Sequence, residues 1–329
     1  MNGEWSSGIG PGRRAQAHRR RRCGGARVEL IVAAACIAVL AAVAIPLINS
    51  ARTASRQQTC LNHVGELARA VEAHAQIDAS RLPPLHDGRV GWPGLLLVQL
   101  RLPDAAAHIG MGDVDDAARV PVGVFTCPFD EDSFNRPGGL SYVGNSGYGL
   151  FDADPRTGTI TGRGIHSPAI DLDGDGEASP EEFSINFATG VFWPETDGGR
   201  RMTLDFISDH DGRAQTMLVT ENLHAGAWTS RETLDVAFVI GRDTLRLGDN
   251  PVGPRALALP DTIDLGLFAP HTDPGRPVGR SPVPSSLHAE RIHVGYCDGS
   301  ARPTSVHIDA RVYARLMTPA GTRYGQGDE

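Results

Sequence analysis

From Leu30 to Ile48 the chain runs for 19 residues without a charge, and nearly every one is apolar. Beyond it Leu61, Val64, Leu67, Val71 and Ala75 recur at steps of three and four, the period of one helical face. The two stretches together predict one helix from about Val28 to about Ala79. Roughly 50 residues at ~1.5 Å each give a rod of about 75 Å. Its first half is long enough to cross a hydrocarbon core ~30 Å thick. Its second half carries an apolar stripe that needs a soluble partner. Pro46 is a candidate kink, and Arg81-Leu82-Pro83-Pro84 ends the helix.

After Pro84 short apolar pieces alternate with Gly, Pro and Asp. Gly94–Leu102 reads as a short helix. Val122–Thr126, Met217–Thr220, Val236–Ile240, Arg291–Tyr296 and Ala301–Ser305 read as strands, and Asp298-Gly299 as a hairpin turn between the last two. Ile308–Met317 reads as a closing helix with Asp309 near its start and Val312 and Leu316 on one face. Gly241–Ser286, rich in Pro, Gly and Arg, reads as a long irregular excursion. The expected class is α+β: a long N-terminal helix on an antiparallel sheet head with long loops.

Composition agrees with a turn-rich β head, since 39 Gly and 23 Pro stand among 329 residues. Every fixed positive charge is Arg, and the net charge is −8. Residues 1–24 hold six Arg and one Glu, which leaves about −13 for the rest. An acidic head argues against a nucleic-acid partner and suits divalent cations. The patch Arg19-Arg20-Arg21-Arg22 before the apolar run places the N-terminus in the cytoplasm and the bulk of the chain outside. Of five cysteines, Cys60, Cys127 and Cys297 fall outside the membrane: one bridge and a spare thiol, the pair left open by the sequence. No C-x-x-C spacing for a structural zinc site occurs.

Glu29, a carboxylate at the mouth of the apolar run, is the first candidate for chemistry, because an unpaired charge there is costly. A secretory signal peptide cut at Ala41-Ala42-Val43-Ala44 is one reading of this segment. Other details point elsewhere. Gly24-Gly25 separates the basic patch from the run, Glu29 is the fifth residue after Gly24, and Pro46 the twenty-second. This pattern resembles the leader of type IV pilins and pseudopilins, although Gly25-Ala26-Arg27 stands where that family has Phe-Thr-Leu. The resemblance implies cleavage after Gly24 by a prepilin peptidase and methylation of the new N-terminus at Gly25. It also implies that Glu29 pairs with a neighbouring subunit's amine.

Asp171-Leu172-Asp173-Gly174-Asp175-Gly176-Glu177-Ala178-Ser179-Pro180-Glu181-Glu182 matches the twelve-position calcium loop D-x-D-x-D-G-x5-E. Asp171, Asp173 and Asp175 offer hard oxygens, Gly176 the sharp turn, Glu177 its carbonyl, and Ser179 a water-bridged position. Glu182 can close the shell with both oxygens. His166-Ser167-Pro168 precludes a normal helix before the loop, so a Ca²⁺ ion would be structural here rather than part of a sensor.

The end of the chain carries a further pattern: His288, nine residues, then Asp298-Gly299. Cys60-Leu61-Asn62, Cys127-Pro128-Phe129-Asp130, Ser141-Tyr142-Val143-Gly144-Asn145 and Asp211-Gly212 with Glu221 precede it in order. The series resembles the prepilin-like DUF1559 family, whose C-terminal region bears the H-x9-DG signature. That resemblance implies a basic cytoplasmic leader (1–24), a transmembrane and stalk helix (25–80) and an extracytoplasmic head (81–329). The H-x9-DG region covers 286–318, and the calcium-type loop looks like an insertion. His288 is expected to hydrogen-bond the Asp298-Gly299 turn, or to bind a metal with His293 or Asp298.

The function so implied is structural: an inner-membrane, single-pass envelope protein with a periplasmic or surface-exposed head. Its partners would be the prepilin peptidase and pilin-like subunits of a pilus, pseudopilus or secretion-type assembly. No G-x-S-x-G, H-E-x-x-H or phosphate-binding glycine pattern occurs, so no catalytic residue is assigned. The alternative is a tethered solute- or glycan-binding module, with Tyr148, Phe192, Trp193 and Trp228 as candidates for an aromatic cleft.

Overall fold

The computed structural model describes residues 25–165, 167–195, 200–248, 250–273 and 281–327. Residues 1–24, with Gly24, lie outside them. The chain divides into two compact units, Met1–Thr53 and Ala54–Glu329.

In the first unit the described residues are all helical, the start of a helix α1 that spans Gly25–Ile77 and continues through Pro46 without a break. Leu30, Ile31, Ile37, Leu40, Val43, Ile45 and Leu47 are all exposed on it. It is the one helix among the described residues long and apolar enough to cross a membrane. Helix α1 stops two residues before the expected Ala79. Ala79 and Ser80 both turn to positive φ, and the Ser80 N–H returns to the Ala75 carbonyl at 2.9 Å, which uses one of the last free acceptors.

The second unit is an α+β head. Its sheet is built from β1 (Tyr142–Asp154), β2 (Thr159–Ile165), β3 (Met217–Glu221), β4 (Ala237–Gly241), β5 (Arg291–Tyr296) and β6 (Ala301–Ser305). The order β2-β1-β3-β5-β6 is antiparallel throughout, and β4 joins β1 in parallel. The β5–β6 hairpin has the bounds and the turn read from the sequence. Gly299 takes φ 76°, its N–H reaches the Tyr296 carbonyl at 3.0 Å, and Asp298 Oδ1 accepts the Ser300 N–H at 2.9 Å.

The outer part of α1 lies on this sheet. Cys60, Val64, Leu67, Ala68, Val71 and Ala75 are buried, which is the predicted stripe, although Leu61 is only half-buried. Helix and strand approach closely at Gly295. A Cβ placed there would meet Val64 Cγ1 at 3.1 Å and Ala68 Cβ at 3.2 Å. Gly295 alternates with Val294 and Tyr296, whose side chains enter a second core on the opposite face with Tyr148, Phe238, Ile240, Tyr313 and Met317.

Several expectations need correction. Val122–Thr126 is not a strand: Gly123–Phe125 is a single 3₁₀ turn that drops Phe125 into the core. Gly94–Leu102 is not one helix, since only Trp92–Leu95 is helical before turns take over. The closing helix is Ala310–Met317, capped by Asp309, and it buries Tyr313, Ala314 and Met317. Val312 is 45% exposed, so the face it shares with Leu316 is not the buried one. The excursion Gly241–Ser286 is largely irregular as expected, yet it supplies Leu257, Leu265, Phe268 and Val283 to the second core.

Candidate functional site

The five sequence segments singled out above meet in the head. Cys60 on α1 is disulfide-bonded to Cys127, with Cα atoms 5.2 Å apart. The bridge closes a separation of 67 residues, worth about 4 kcal/mol in the chain-entropy account. Behind Cys127 the chain turns through Asp130 back to Ser141. The Cys127 N–H donates to Ser141 Oγ at 3.0 Å, and the Ser141 hydroxyl donates to Asp130 Oδ2 at 2.6 Å. Burial pushes the Asp130 carboxyl up, against the hydrogen bonds from Ser141 and Ser133.

Glu221, the last residue of β3, is the centre of the group. Its Oε1 lies 2.9 Å from His288 Nε2 and 3.1 Å from His293 Nδ1, and its Oε2 accepts the His293 backbone N–H at 2.8 Å. An ionised carboxylate only accepts, so both ring nitrogens facing it carry protons. Burial opposes ionisation of Glu221, but the bonds from His288 and His293 outweigh it and hold the carboxyl below its ordinary range. His288 Nε2 also lies 3.5 Å from Cys127 Sγ, and its Nδ1 has no partner among the described residues. The Tyr142 hydroxyl is likewise buried without one, and burial beside Glu221 and Asp130 raises its pKa.

His288 therefore bonds Glu221 rather than the expected Asp298-Gly299 turn, which lies at the other end of β5. The 3.6-fold and twofold periods carry no information on that partner, because Glu221 and His288 are 67 residues apart and pair only through the register of β3 on β5. His293, the second partner, stands in a strand of the expected bounds, where the sequence suggests it only as a metal ligand. Two more of the singled-out residues tie the C-terminal segment. Asn145 Nδ2 donates to the carbonyls of Met217 at 2.8 Å and Met317 at 2.6 Å. Asp211 Oδ2 accepts the Gly321 N–H at 2.7 Å.

A cavity of about 10 Å³ lies against Cys127, Phe129, Asp130, Ser141, Glu221 and Asn222, room for about one water and far below the several hundred Å³ of an organic ligand site. The aromatic candidates for a glycan cleft, Tyr148, Phe192, Trp193 and Trp228, are all fully buried, so they offer no stacking surface. Cys297 remains a free thiol, and burial pushes it far up in pKa, which leaves it protonated and inert.

The acidic loop lies between β2 and a helix over Pro180–Phe187, with no helix among its residues before Pro180. Asp171, Asp173 and Glu182 bring carboxylate oxygens within 4.8 Å of one another. Asp171 Oδ1 and Oδ2 accept the N–H groups of Gly174 at 2.6 Å and Gly176 at 2.8 Å. Glycine is needed here, because Gly174 and Gly176 take φ 79° and 95°. Glu182 is buried: Oε1 accepts the N–H groups of Leu172 and Asp173, and Oε2 that of Ser179. Those bonds outweigh desolvation and lower its pKa. Ser179 Oγ in turn accepts the Glu182 N–H at 3.2 Å, a capping box that the Ser-Pro-Glu-Glu run spells out. Asp175 stands outside the converging set and holds the Glu177 N–H at 2.9 Å; Glu177 itself is exposed. Glu29 is exposed on α1.

No family model, no curated protein and no solved structure matches this chain.

Proposed function

We propose that this chain is a non-enzymatic, prepilin-like subunit anchored in the inner membrane, with a cytoplasmic N-terminus and an extracytoplasmic head. The observation that carries this reading is the division of labour within α1. Residues 28–48 leave their apolar side chains uncovered, whereas residues 60–75 of the same helix form part of the head's core. A removable signal sequence has no reason to continue into a core helix, and a soluble core helix has no reason to begin with 19 uncovered apolar residues. In this reading the prepilin peptidase cuts after Gly24, Gly25 becomes the methylated N-terminus, and Glu29 pairs with a neighbouring subunit's amine. The buried Glu221 binds His288 and His293, the Cys60–Cys127 bridge beside it ties α1 to the head, and Asn145 ties the sheet to the C-terminal segment, which suits a subunit built for rigidity. Intact mass and N-terminal sequencing of the membrane-extracted protein test the processing step. A chain beginning at methylated Gly25 is expected; one beginning near Ile45 overturns it.

The acidic loop is proposed to hold one structural Ca²⁺. The twelve-position match supports this, and the donor set is all hard oxygen, as the ion demands. Asp171, Asp173 and Glu182 would hold it, with Glu182 exchanging its backbone N–H partners for the metal. Calorimetry on the detergent-solubilised protein should show binding of one Ca²⁺ that Asp171→Ala abolishes. Absence of heat in the wild type, or unchanged heat in the variant, sinks the assignment.

A further inference from the structure

Four ligand atoms in the stapled group form a constellation that hydrogen bonding alone does not require. Cys60 Sγ, Cys127 Sγ, Glu221 and His288 each offer a donor atom, all within 4.8 Å of one another, and all four residues are buried. We propose that reduction of the Cys60–Cys127 bond converts this staple into a tetrahedral site for a thiophilic divalent cation of the Zn²⁺ class, ligated by both thiolates, His288 Nε2 and Glu221 Oε1.

The geometry is close to what such an ion needs. Zinc bonds of 2.0–2.3 Å place neighbouring ligand atoms about 3.3–3.8 Å apart. His288 Nε2 stands 3.5 Å from Cys127 Sγ and 2.9 Å from Glu221 Oε1. The cysteine Cα atoms, 5.2 Å apart, need only part slightly for the freed sulfurs to separate. An outer shell already exists: the His293 N–H and Nδ1 hold both oxygens of Glu221, which fixes the carboxylate as a ligand's supporting groups do. The His288 ring makes all its polar contacts through Nε2, so its Nδ1 is free to take the proton when Nε2 binds metal.

The chemistry balances. A dithiol reductant delivers two electrons and two protons, its own sulfurs closing to a disulfide as the Cys60–Cys127 bond breaks into two thiols. The dication then displaces those two thiol protons. Two thiolates and one carboxylate against Zn²⁺ leave a single negative charge, beside which His293 sits. Without the ion, reduction leaves two buried thiols that no longer link α1 to the chain at Cys127. The disulfide and the metal site therefore exclude each other, and the cation would secure α1 to β3 and β5 in a chain not yet oxidised.

Cobalt reports this directly, because tetrahedral thiolate ligation gives near-ultraviolet charge-transfer and visible ligand-field bands that the all-oxygen acidic loop cannot. The full chain in detergent, with Cys23, Cys36 and Cys297 changed to Ala, is reduced with a phosphine and titrated with Co²⁺. One equivalent should generate both bands, Zn²⁺ should bleach them, and the oxidised protein should show neither. His288→Gln should weaken binding at least about 100-fold, since loss of a supporting group alone costs about 10–100-fold. Far-UV dichroism establishes that the reduced chain is folded. Three results overturn the proposal: no thiolate bands in the reduced folded protein, an unchanged titration in His288→Gln, or a reduced chain that unfolds and is not restored by Zn²⁺.

Discussion

Glu221→Gln is expected to destabilise the protein by about 3 kcal/mol, a fall in Tm of roughly 5 °C for a head of this size. The substitution keeps the shape and removes the charge. Two ring N–H groups and one backbone N–H now point at the Glu221 carboxylate. An amide offers one oxygen in its place, and its NH₂ faces donors. The effect also has a pH signature. Glu221's pKa is lower in the folded protein than its ordinary value, so its stabilising contribution is complete above its unfolded pKa of ~4.3 and is lost as pH falls through the folded value. The Tm gap between wild type and variant should be flat above about pH 6 and should close in the acid range below ~4. Thermal melts by circular dichroism across that range check it. A gap that persists unchanged at acid pH, or no gap at neutral pH, removes Glu221 from the centre of the head.

How much of this was legible beforehand follows from where the information sits. Helix α1 was legible along nearly its whole length because its unbroken apolar run, 30–48, and its periodic stretch, 61–75, are local signals. The β5–β6 hairpin was legible because Asp298-Gly299 is a turn with its own chemistry. The long strand β1 was not, although Ser141–Asn145 was singled out: Gly144, Gly147 and Gly149 break the alternation, and Gly147 takes φ 69° within the strand. Those glycines are there for close approach, since a Cβ on Gly144 would meet Phe192 at 2.7 Å and one on Gly147 the Thr189 backbone at 2.5 Å. The cysteine pairing was open because three candidates and no spacing rule leave it so. The Glu221 group was illegible as a group, although four of its members were noted separately, because only sheet register brings them together. The acidic loop's carboxylates were legible one by one. Its capping box is spelled in the same residues, but Ser179 and Glu182 serve the calcium template equally well, so the sequence does not separate the two roles.

The second large effect concerns Glu29. A carboxylate in the first turns of an apolar helix is costly in a bilayer unless another group meets it. In the proposed assembly the N-terminal amine of an adjacent subunit supplies the positive charge. Losing that pair should cost subunit registration while leaving the folded head untouched, since Glu29 and the head belong to different compact units. The chain has no Lys, so amine-directed reagents would report little. A photo-crosslinking residue in place of Leu40, which is 70% exposed on α1, reads the helix contacts in the membrane itself. In otherwise wild-type protein this probe should give a ladder of dimers and higher multimers. Adding Glu29→Ala should reduce that ladder at least about tenfold, the effect of losing ~1.4 kcal/mol or more per contact, at equal membrane abundance. A ladder that survives Glu29→Ala unchanged, or a wild-type chain that yields none, would contradict assembly and leave α1 as a plain anchor.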